Sequence, residues 1–285
     1  MAIEIREEYL EGQDGAFRYW QSRPNQGLPV IFVHGYGGTI EHWQRIFPKI
    51  AAKHTIYALD LYGFGASAYP KGGTYSGELW ARQLATLVTE VVQGPAVVVG
   101  HSMGGIAVAE FAHHYPHLTQ GLVLVNSAGL ARADLSPAFL EQFVFELVQT
   151  PLIGELLSGV FANPFSIWAS LQTAYHNKQK VTLDLVELFN KPLRRRGAIE
   201  AYLAVSRAFS SYALAIKPGA VQAPTLIIWG QEDLALPPSL AERFKAEIFP
   251  QAQVYLVPQT GHCPFDEAPE TFCQGLLPWL EELST

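Results

Sequence analysis

The sequence predicts an α/β fold: a doubly wound, mostly parallel sheet carrying an inserted helical lid. Three observations predict it. Six short apolar runs recur without alternation, helix-length amphipathic segments lie between them, and one long stretch contains no such run.

The runs are 30–33 (VIFV), 56–61 (IYALDL), 96–99 (AVVV), 122–125 (LVLV), 225–229 (TLIIW) and 254–257 (VYLV). Each has the length of a strand, and an unbroken apolar run suits a strand buried on both faces of a parallel sheet. Residues 78–92 place Leu79, Leu84, Leu87, Val88 and Val91 along one side of a helix, and 239–249 and 270–280 read similarly. Strands alternating with helices imply right-handed crossovers and a sheet wound in both directions. At the N-terminus, 4–10 and 16–21 alternate more, which predicts an antiparallel edge hairpin turned at Gly12-Gln13-Asp14-Gly15.

Residues 132–217 break the rhythm. The stretch is mostly helical in pattern and dense in aromatic residues, from Phe139 to Tyr212. Pro151, Gly154, Pro164, Pro192 and Gly197 punctuate it into four or five short helices. The expected organisation is a core domain formed by 1–131 and 218–285, with a helical cap at 132–217.

Composition excludes some function classes. The chain has 285 residues and a formal net charge of −7. An acidic balance leaves no electrostatic footprint for nucleic acid and argues against broad attraction to anionic membranes. The two cysteines, Cys263 and Cys273, form neither a disulfide framework nor a zinc-binding pattern, so no metal and no cofactor are expected. The start, MAIEIREEYLEGQDG, has no apolar signal segment, and no run approaches the ~18 apolar residues of a membrane span. A cytoplasmic protein is the expectation. Peripheral contact with lipid and the oligomeric state stay open.

The strongest chemical signal is Gly100-His101-Ser102-Met103-Gly104, a G-x-S-x-G directly after a buried strand and directly before a helix at 106–114. That context calls for a sharp strand-to-helix turn that projects the Ser102 hydroxyl away from the sheet. Gly100 and Gly104 are needed because side chains there would clash across the turn. The same turn places the Met103 N–H at a helix N-terminus, where it can stabilise an anion. A phosphate-cradling loop has different glycine spacing. The second oxyanion donor is expected from His34-Gly35-Tyr36-Gly37-Gly38, after the first buried strand, with the Tyr36 N–H as candidate.

Nine histidines compete for the role of base. His34 and His101 flank motif residues and read as loop braces; His113, His114 and His117 sit on or just after the helix following Ser102. His262 follows the last strand, and loops at the C-terminal ends of parallel strands are where such sheets place chemistry. The acid is expected at Asp233, in Trp229-Gly230-Gln231-Glu232-Asp233 after the preceding strand, with Glu232 as its adjacent rival. One strand earlier stands Asn126, which cannot carry the charge. Ser102, Asp233 and His262 then form a triad in that chain order.

With these motifs, the chain resembles the α/β-hydrolase superfamily over nearly its full length. The matching stretches are HGYGG at 34–38, DLYGFGAS at 60–67, GHSMGG at 100–105, WGQED at 229–233 and GHCPFDEAPE at 261–270. The resemblance implies the capped serine-hydrolase branch, with a helical lid where 132–217 falls. Asp60 to Ser67 reads as a structural turn. Haloalkane dehalogenases and epoxide hydrolases need aspartate at the nucleophile; serine at 102 implies a covalent acyl intermediate. Carbon–carbon bond hydrolases also use serine but usually carry tryptophan after the catalytic histidine, where this chain has Cys263. GHCPFDEAPE is similar to plant and cyanobacterial hydrolases that include pheophytin-dephytylating enzymes. Hydrolysis of a carboxylic ester of a hydrophobic small molecule is the leading expectation. Carbon–carbon, thioester or lactone cleavage, and a ligand-binding receptor built on the same fold, are the alternatives. Arg194, Arg195 and Arg196 form the one basic run and read as a solvated loop.

Overall fold

The computed structural model describes residues 4–130 and 163–284, apart from Lys71 and Gly73. Eight strands form one sheet: β1 (Ile5–Gly12), β2 (Gly15–Ser22), β3 (Pro29–Val33), β4 (Thr55–Leu59), β5 (Ala96–His101), β6 (Thr119–Val125), β7 (Thr225–Gly230) and β8 (Gln253–Val257). Their order across the sheet is β1-β2-β4-β3-β5-β6-β7-β8. β1 and β2 are the antiparallel hairpin, and β2 runs antiparallel to β4; every other pairing is parallel. All six apolar runs are strands. The run at 56–61 stops at Leu59, because Asp60 begins a turn.

Residues one apart on a strand face opposite ways, and here both faces are covered. Ile31, Val33 and Val98 join one apolar cluster, with Leu84 of α1 (Gly77–Leu87), Ile106 of α2 (Met103–His114) and Phe244. Val30, Phe32, Val97 and Val99 join the other, with Trp43, Phe47, Phe272 and Leu276. Burial on both faces is the physical reason these strands lack alternation. β8 departs from the expectation: it closes the sheet edge, and Leu256 is 42% exposed.

Between β6 and β7 the described residues are helical: α3 (Pro164–Ala174), α4 (Leu183–Leu193) and α5 (Ala198–Arg207). Their starts follow local rules. The Asn163 side chain accepts the N–H groups of Phe165 (3.0 Å) and Ser166 (3.1 Å), with Pro164 at the first helical position. Thr182 caps α4 through the Leu185 N–H. Pro192 falls inside the last turn of α4 instead of ending it sooner. The expected punctuation at Pro151 and Gly154, with the aromatic residues from Phe139 to Phe161, lies outside the described residues. After β7 come α6 (Ser239–Glu247) and α7 (Pro269–Glu282).

The parallel register brings five chain turns to one edge. Val33 pairs with Gly100, His101 with Val125, Val125 with Ile228, and Gly230 with Val257. The segments that leave β3, β5, β6, β7 and β8 carry HGYGG, Ser102, Asn126, Asp233 and His262. The sheet therefore gathers residues that are up to 228 positions apart in sequence at its C-terminal edge.

Candidate active site

Ser102 links β5 to α2 with φ +52° and ψ −119°, a left-handed conformation that non-glycine residues rarely adopt. Neighbours hold it there. Its N–H donates to the Val125 carbonyl (3.0 Å), and its own carbonyl accepts the N–H groups of Gly105 (2.9 Å) and Ala128 (3.0 Å). Two glycines make the turn sterically feasible. A methyl group on Gly104 would stand 2.5 Å from the His34 carbonyl oxygen, and one on Gly100 would strike Val108 at 2.5 Å. Gly35 approaches from the β3 side: a Cβ there would lie 2.9 Å from that of Ser102. The HGYGG loop thus abuts the Ser102 turn, and Met103 opens α2, so its N–H lies at the helix N-terminus with no carbonyl four residues back in the helix to accept it. Both expected oxyanion donors, Tyr36 and Met103, lie on the two segments that meet at Ser102.

His262 Nδ1 stands 2.8 Å from Asp233 Oδ2. Asp233 is fully employed: Oδ2 also accepts from Asn126 Nδ2 (2.7 Å), and Oδ1 accepts the N–H groups of Ala235 (2.8 Å) and Leu236 (3.0 Å). Burial pushes its carboxyl up, but His262 and these hydrogen bonds outweigh burial and hold it below the ordinary value. It is therefore ionised at neutral pH and accepts the Nδ1 proton, which selects the tautomer whose lone pair lies on Nε2. The ring of His101, the residue before Ser102, lies 4.7 Å from that of His262.

The rival Glu232 does something else. Its carboxylate accepts the Thr260 N–H (3.0 Å), and its own N–H donates to the Thr260 carbonyl (2.9 Å). It braces the loop that carries His262. Asn126, dismissed as an acid, proves to be a buried partner: φ +42° aims it so that Oδ1 accepts the Gly230 N–H (3.1 Å) while Nδ2 holds Asp233. The unusual φ is not legible in a single sequence.

His34 and His101 are braces, as read. His34 Nε2 accepts the Leu61 N–H (3.0 Å), so Nδ1 carries the proton and donates to the Gly35 carbonyl (2.7 Å). His101 Nε2 lies 2.8 Å from the His262 carbonyl and ties the serine turn to the histidine loop. Asp60 confirms the structural reading of its turn: it accepts from Ile40 and Ala66 N–H groups and from Arg18 Nη1 (3.1 Å).

The helices between β6 and β7 touch both sides of this site. Tyr36 Oη donates to the Tyr202 carbonyl (3.1 Å), and Tyr202 Oη donates to the Gly37 carbonyl (3.3 Å). The Phe189 ring lies 4.0 Å from that of His42, tilted by 37°. The His262 N–H donates to the Ala174 carbonyl at the end of α3 (2.7 Å). Cys263, next to His262, is buried, and burial with nearby Asp266 and Glu267 pushes its thiol well up; it stays protonated.

Arg194 and Arg196 of the basic run are exposed, in keeping with a solvated loop, but Arg195 departs from that reading. Arg195 Nη1 donates to the carbonyls of Gly65 (2.6 Å) and Ser67 (2.8 Å), and its guanidinium lies 4.6 Å from the centre of the Tyr69 ring. Arg194 pairs with Glu187. Arg195 is thus a strut between the inserted helices and the Asp60 turn. Arg195→Ala is expected to cost about 1–3 kcal/mol in urea unfolding, with the ratio of KM for neutral and anionic esters unchanged. A selective rise in KM for anionic esters, without lost stability, would assign it to substrate binding instead.

A family model described as "alpha/beta hydrolase fold" matches residues 29–269. The chain belongs to this family. It is 28% identical over 85% of its length to Lipase 3 of Moraxella sp. (strain TA144), spanning 74% of that protein. It is 30% identical over 93% of its length to the dihydrolipoyllysine-residue acetyltransferase component of the acetoin cleaving system of Pseudomonas putida, spanning 66% of that protein. Against the chloroplastic pheophytinase of Arabidopsis thaliana it is 26% identical over 90% of its length and spans 62% of that protein. Among solved structures, a meta-cleavage product hydrolase from Pseudomonas fluorescens IP01 superposes with a TM-score of 0.80 at 21% identity, covering 96% of this chain and 97% of the other. At that identity the likeness speaks for the fold. Family membership and the lipase and pheophytinase relatives support a hydrolytic activity. No helix among the described residues is long and apolar enough to cross a membrane.

Proposed function

We propose that this α/β-hydrolase-fold protein is a serine hydrolase that cleaves a carboxylic ester of a hydrophobic substrate through an acyl-enzyme on Ser102. The observation that carries the reading is the 2.8 Å contact of His262 with a fully hydrogen-bonded, ionised Asp233, beside a serine held at φ +52°. Ser102 Oγ attacks the ester carbonyl as His262 Nε2 takes its proton. The oxyanion binds to the N–H groups of Met103 and Tyr36. The C–O bond then breaks, and the alcohol leaves with the proton from His262. Water, deprotonated by the same nitrogen, cleaves the acyl-serine and releases the acid. Asp233 holds the tautomer and stabilises the imidazolium.

The described part of the insertion, residues 163–217, acts in this reading as a cap over the serine. Support comes from the ring contacts of Tyr202 with Tyr36 and of Phe189 with His42, which set aromatic side chains against the HGYGG loop. An aromatic wall favours a hydrophobic acyl or alcohol group, and the pheophytinase relative makes phytyl esters a specific lead.

A fluorophosphonate probe is expected to label Ser102 within minutes, and turnover of p-nitrophenyl esters to rise with acyl length, with phytyl esters included in the panel. Rapid labelling without turnover would point to a receptor. Turnover of a meta-cleavage dienoate in preference to every ester would replace the ester reading with carbon–carbon cleavage.

A further inference from the structure

The loop carrying His262 does not hold its own shape. Its backbone donors are held from three sides: the Thr260 N–H by Glu232, the His262 N–H by the Ala174 carbonyl, and the Gly261 N–H by a buried carboxylate that belongs to neither the serine turn nor the Asp233 turn. Glu267, 1% exposed, lies on the short helical turn Pro264–Glu267 that follows His262. Its Oε1 accepts the N–H of Gly261, the residue before His262, at 2.7 Å. Its Oε2 accepts the N–H groups of His176 (2.9 Å) and Asn177 (3.0 Å), just past α3. Beside this clamp, the His262 N–H donates to the Ala174 carbonyl at 2.7 Å. Gly261 allows the close approach: a Cβ there would stand 2.8 Å from the His176 nitrogen.

A carboxylate is the side chain that can accept on two separate oxygens, three times, without donating. Here the two oxygens divide the work. One fixes the histidine loop and the other fixes the inserted segment. Removing Glu267 leaves three N–H groups without their acceptor and leaves the two elements joined through the His262–Ala174 and Tyr175–Asp266 hydrogen bonds. Neighbouring Asp266 is engaged elsewhere, with Tyr175 Oη (2.9 Å) and Arg45 Nε (2.7 Å), and cannot substitute.

We infer that Glu267 is the positioning residue for His262, locking the histidine loop to the α3–α4 connection and so fixing the imidazole against Ser102. This rests on the reading of His262 as base. The charge does not act on the substrate; it acts through the backbone on either side of Gly261.

The test is Glu267→Gln in the full chain. Glutamine keeps the volume but presents one acceptor and an NH2 group, so it can serve one arm and must oppose the other. Two readouts are taken: kcat and KM for p-nitrophenyl butyrate, and water exchange of the His262 Nδ1–H followed by NMR in histidine-labelled protein. The expected result is kcat lowered about 10- to 100-fold with KM within threefold, and Nδ1–H exchange accelerated at least tenfold. Glu267→Asp, which keeps the charge on a stem one methylene shorter, is expected to fold more readily and to lie between Gln and wild type in both readouts. Unchanged kcat with unchanged exchange, or a loss confined to KM, would overturn the inference. His262→Ala is measured in parallel. Activity surviving in that variant would defeat the base reading, whereas the exchange rate in Glu267→Gln judges the positioning inference separately.

Discussion

Ser102→Ala is expected to lower kcat/KM for an activated ester about 10^4- to 10^6-fold while the unfolding free energy moves by less than about 1 kcal/mol. The hydroxyl is half-buried on the strained turn, and alanine can occupy the same φ of +52° at no greater steric cost. Among the described residues, the turn's hydrogen bonds run through the Ser102 N–H and carbonyl. Structure is therefore preserved while the nucleophile is lost. Combining Ser102→Ala with His262→Ala should be no worse than either alone, because a base without a nucleophile contributes nothing. Asp233→Asn should cost about 10^4-fold, since an amide can present a donor to Nδ1 and favour the wrong tautomer. Steady-state kinetics on the single and double variants, beside urea unfolding, checks all of this. Residual activity within tenfold of wild type in Ser102→Ala would remove serine from the mechanism.

The second large effect is acid lability. Burial shifts four histidines down. It lowers His34 to about 4 and His42 to about 3, it pushes His101 well below 6.5, with the nearby His262 ring adding to the shift, and it lowers His54. His34 cannot take a proton without losing the acceptor nitrogen that holds Leu61. In the unfolded chain each histidine titrates near 6.5. Below that pH the unfolded state binds more protons than the folded state, so the stability present above pH 6.5 is lost as pH falls towards 4. Asp60 works the other way. Burial raises it to about 6 despite Arg18, so the folded state gains a proton there over the same window. Burial raises Asp266 and Glu267 as well, so these carboxyls offset part of the histidine effect, and each proton of net difference contributes about 1.4 kcal/mol per pH unit. Urea unfolding at pH 7.5, 6.5 and 5.5 is expected to show a shallow fall in stability across the first interval and a steeper fall across the second. A stability flat from 7.5 to 5.5 would show that these histidines are solvated or paired in the native state.

Legibility in the sequence followed physical range. Strands buried on both faces leave unbroken apolar runs, and all six runs are strands. The G-x-S-x-G turn is a local steric problem with a local solution in glycine, so Gly100, Ser102 and Gly104 could be placed by spacing. Asp233 and His262 could be placed because parallel strands deliver their exits to one edge. Pairings that span the sheet left no local trace. Asn126 reads as an amide in the wrong place for an acid, yet it carries the Asp233 carboxylate across 107 positions. Arg195 reads as part of a charged surface run, yet it reaches 130 positions back to Gly65. Glu232 reads as a rival acid, and only the Thr260 contact shows it bracing a loop.

The sequence by itself determined the fold class, the strand-to-helix turn at Ser102 and the chain order Ser102, Asp233, His262, because each depends on apolar periodicity or on backbone sterics within a few residues. Only the tertiary structure decided which groups hold the histidine loop. Glu267 is five residues from His262 in sequence, but its meaning comes from the amides of His176 and Asn177, some 90 positions away. A buried carboxylate is defined by the donors that surround it, and those donors arrive only when the chain has folded.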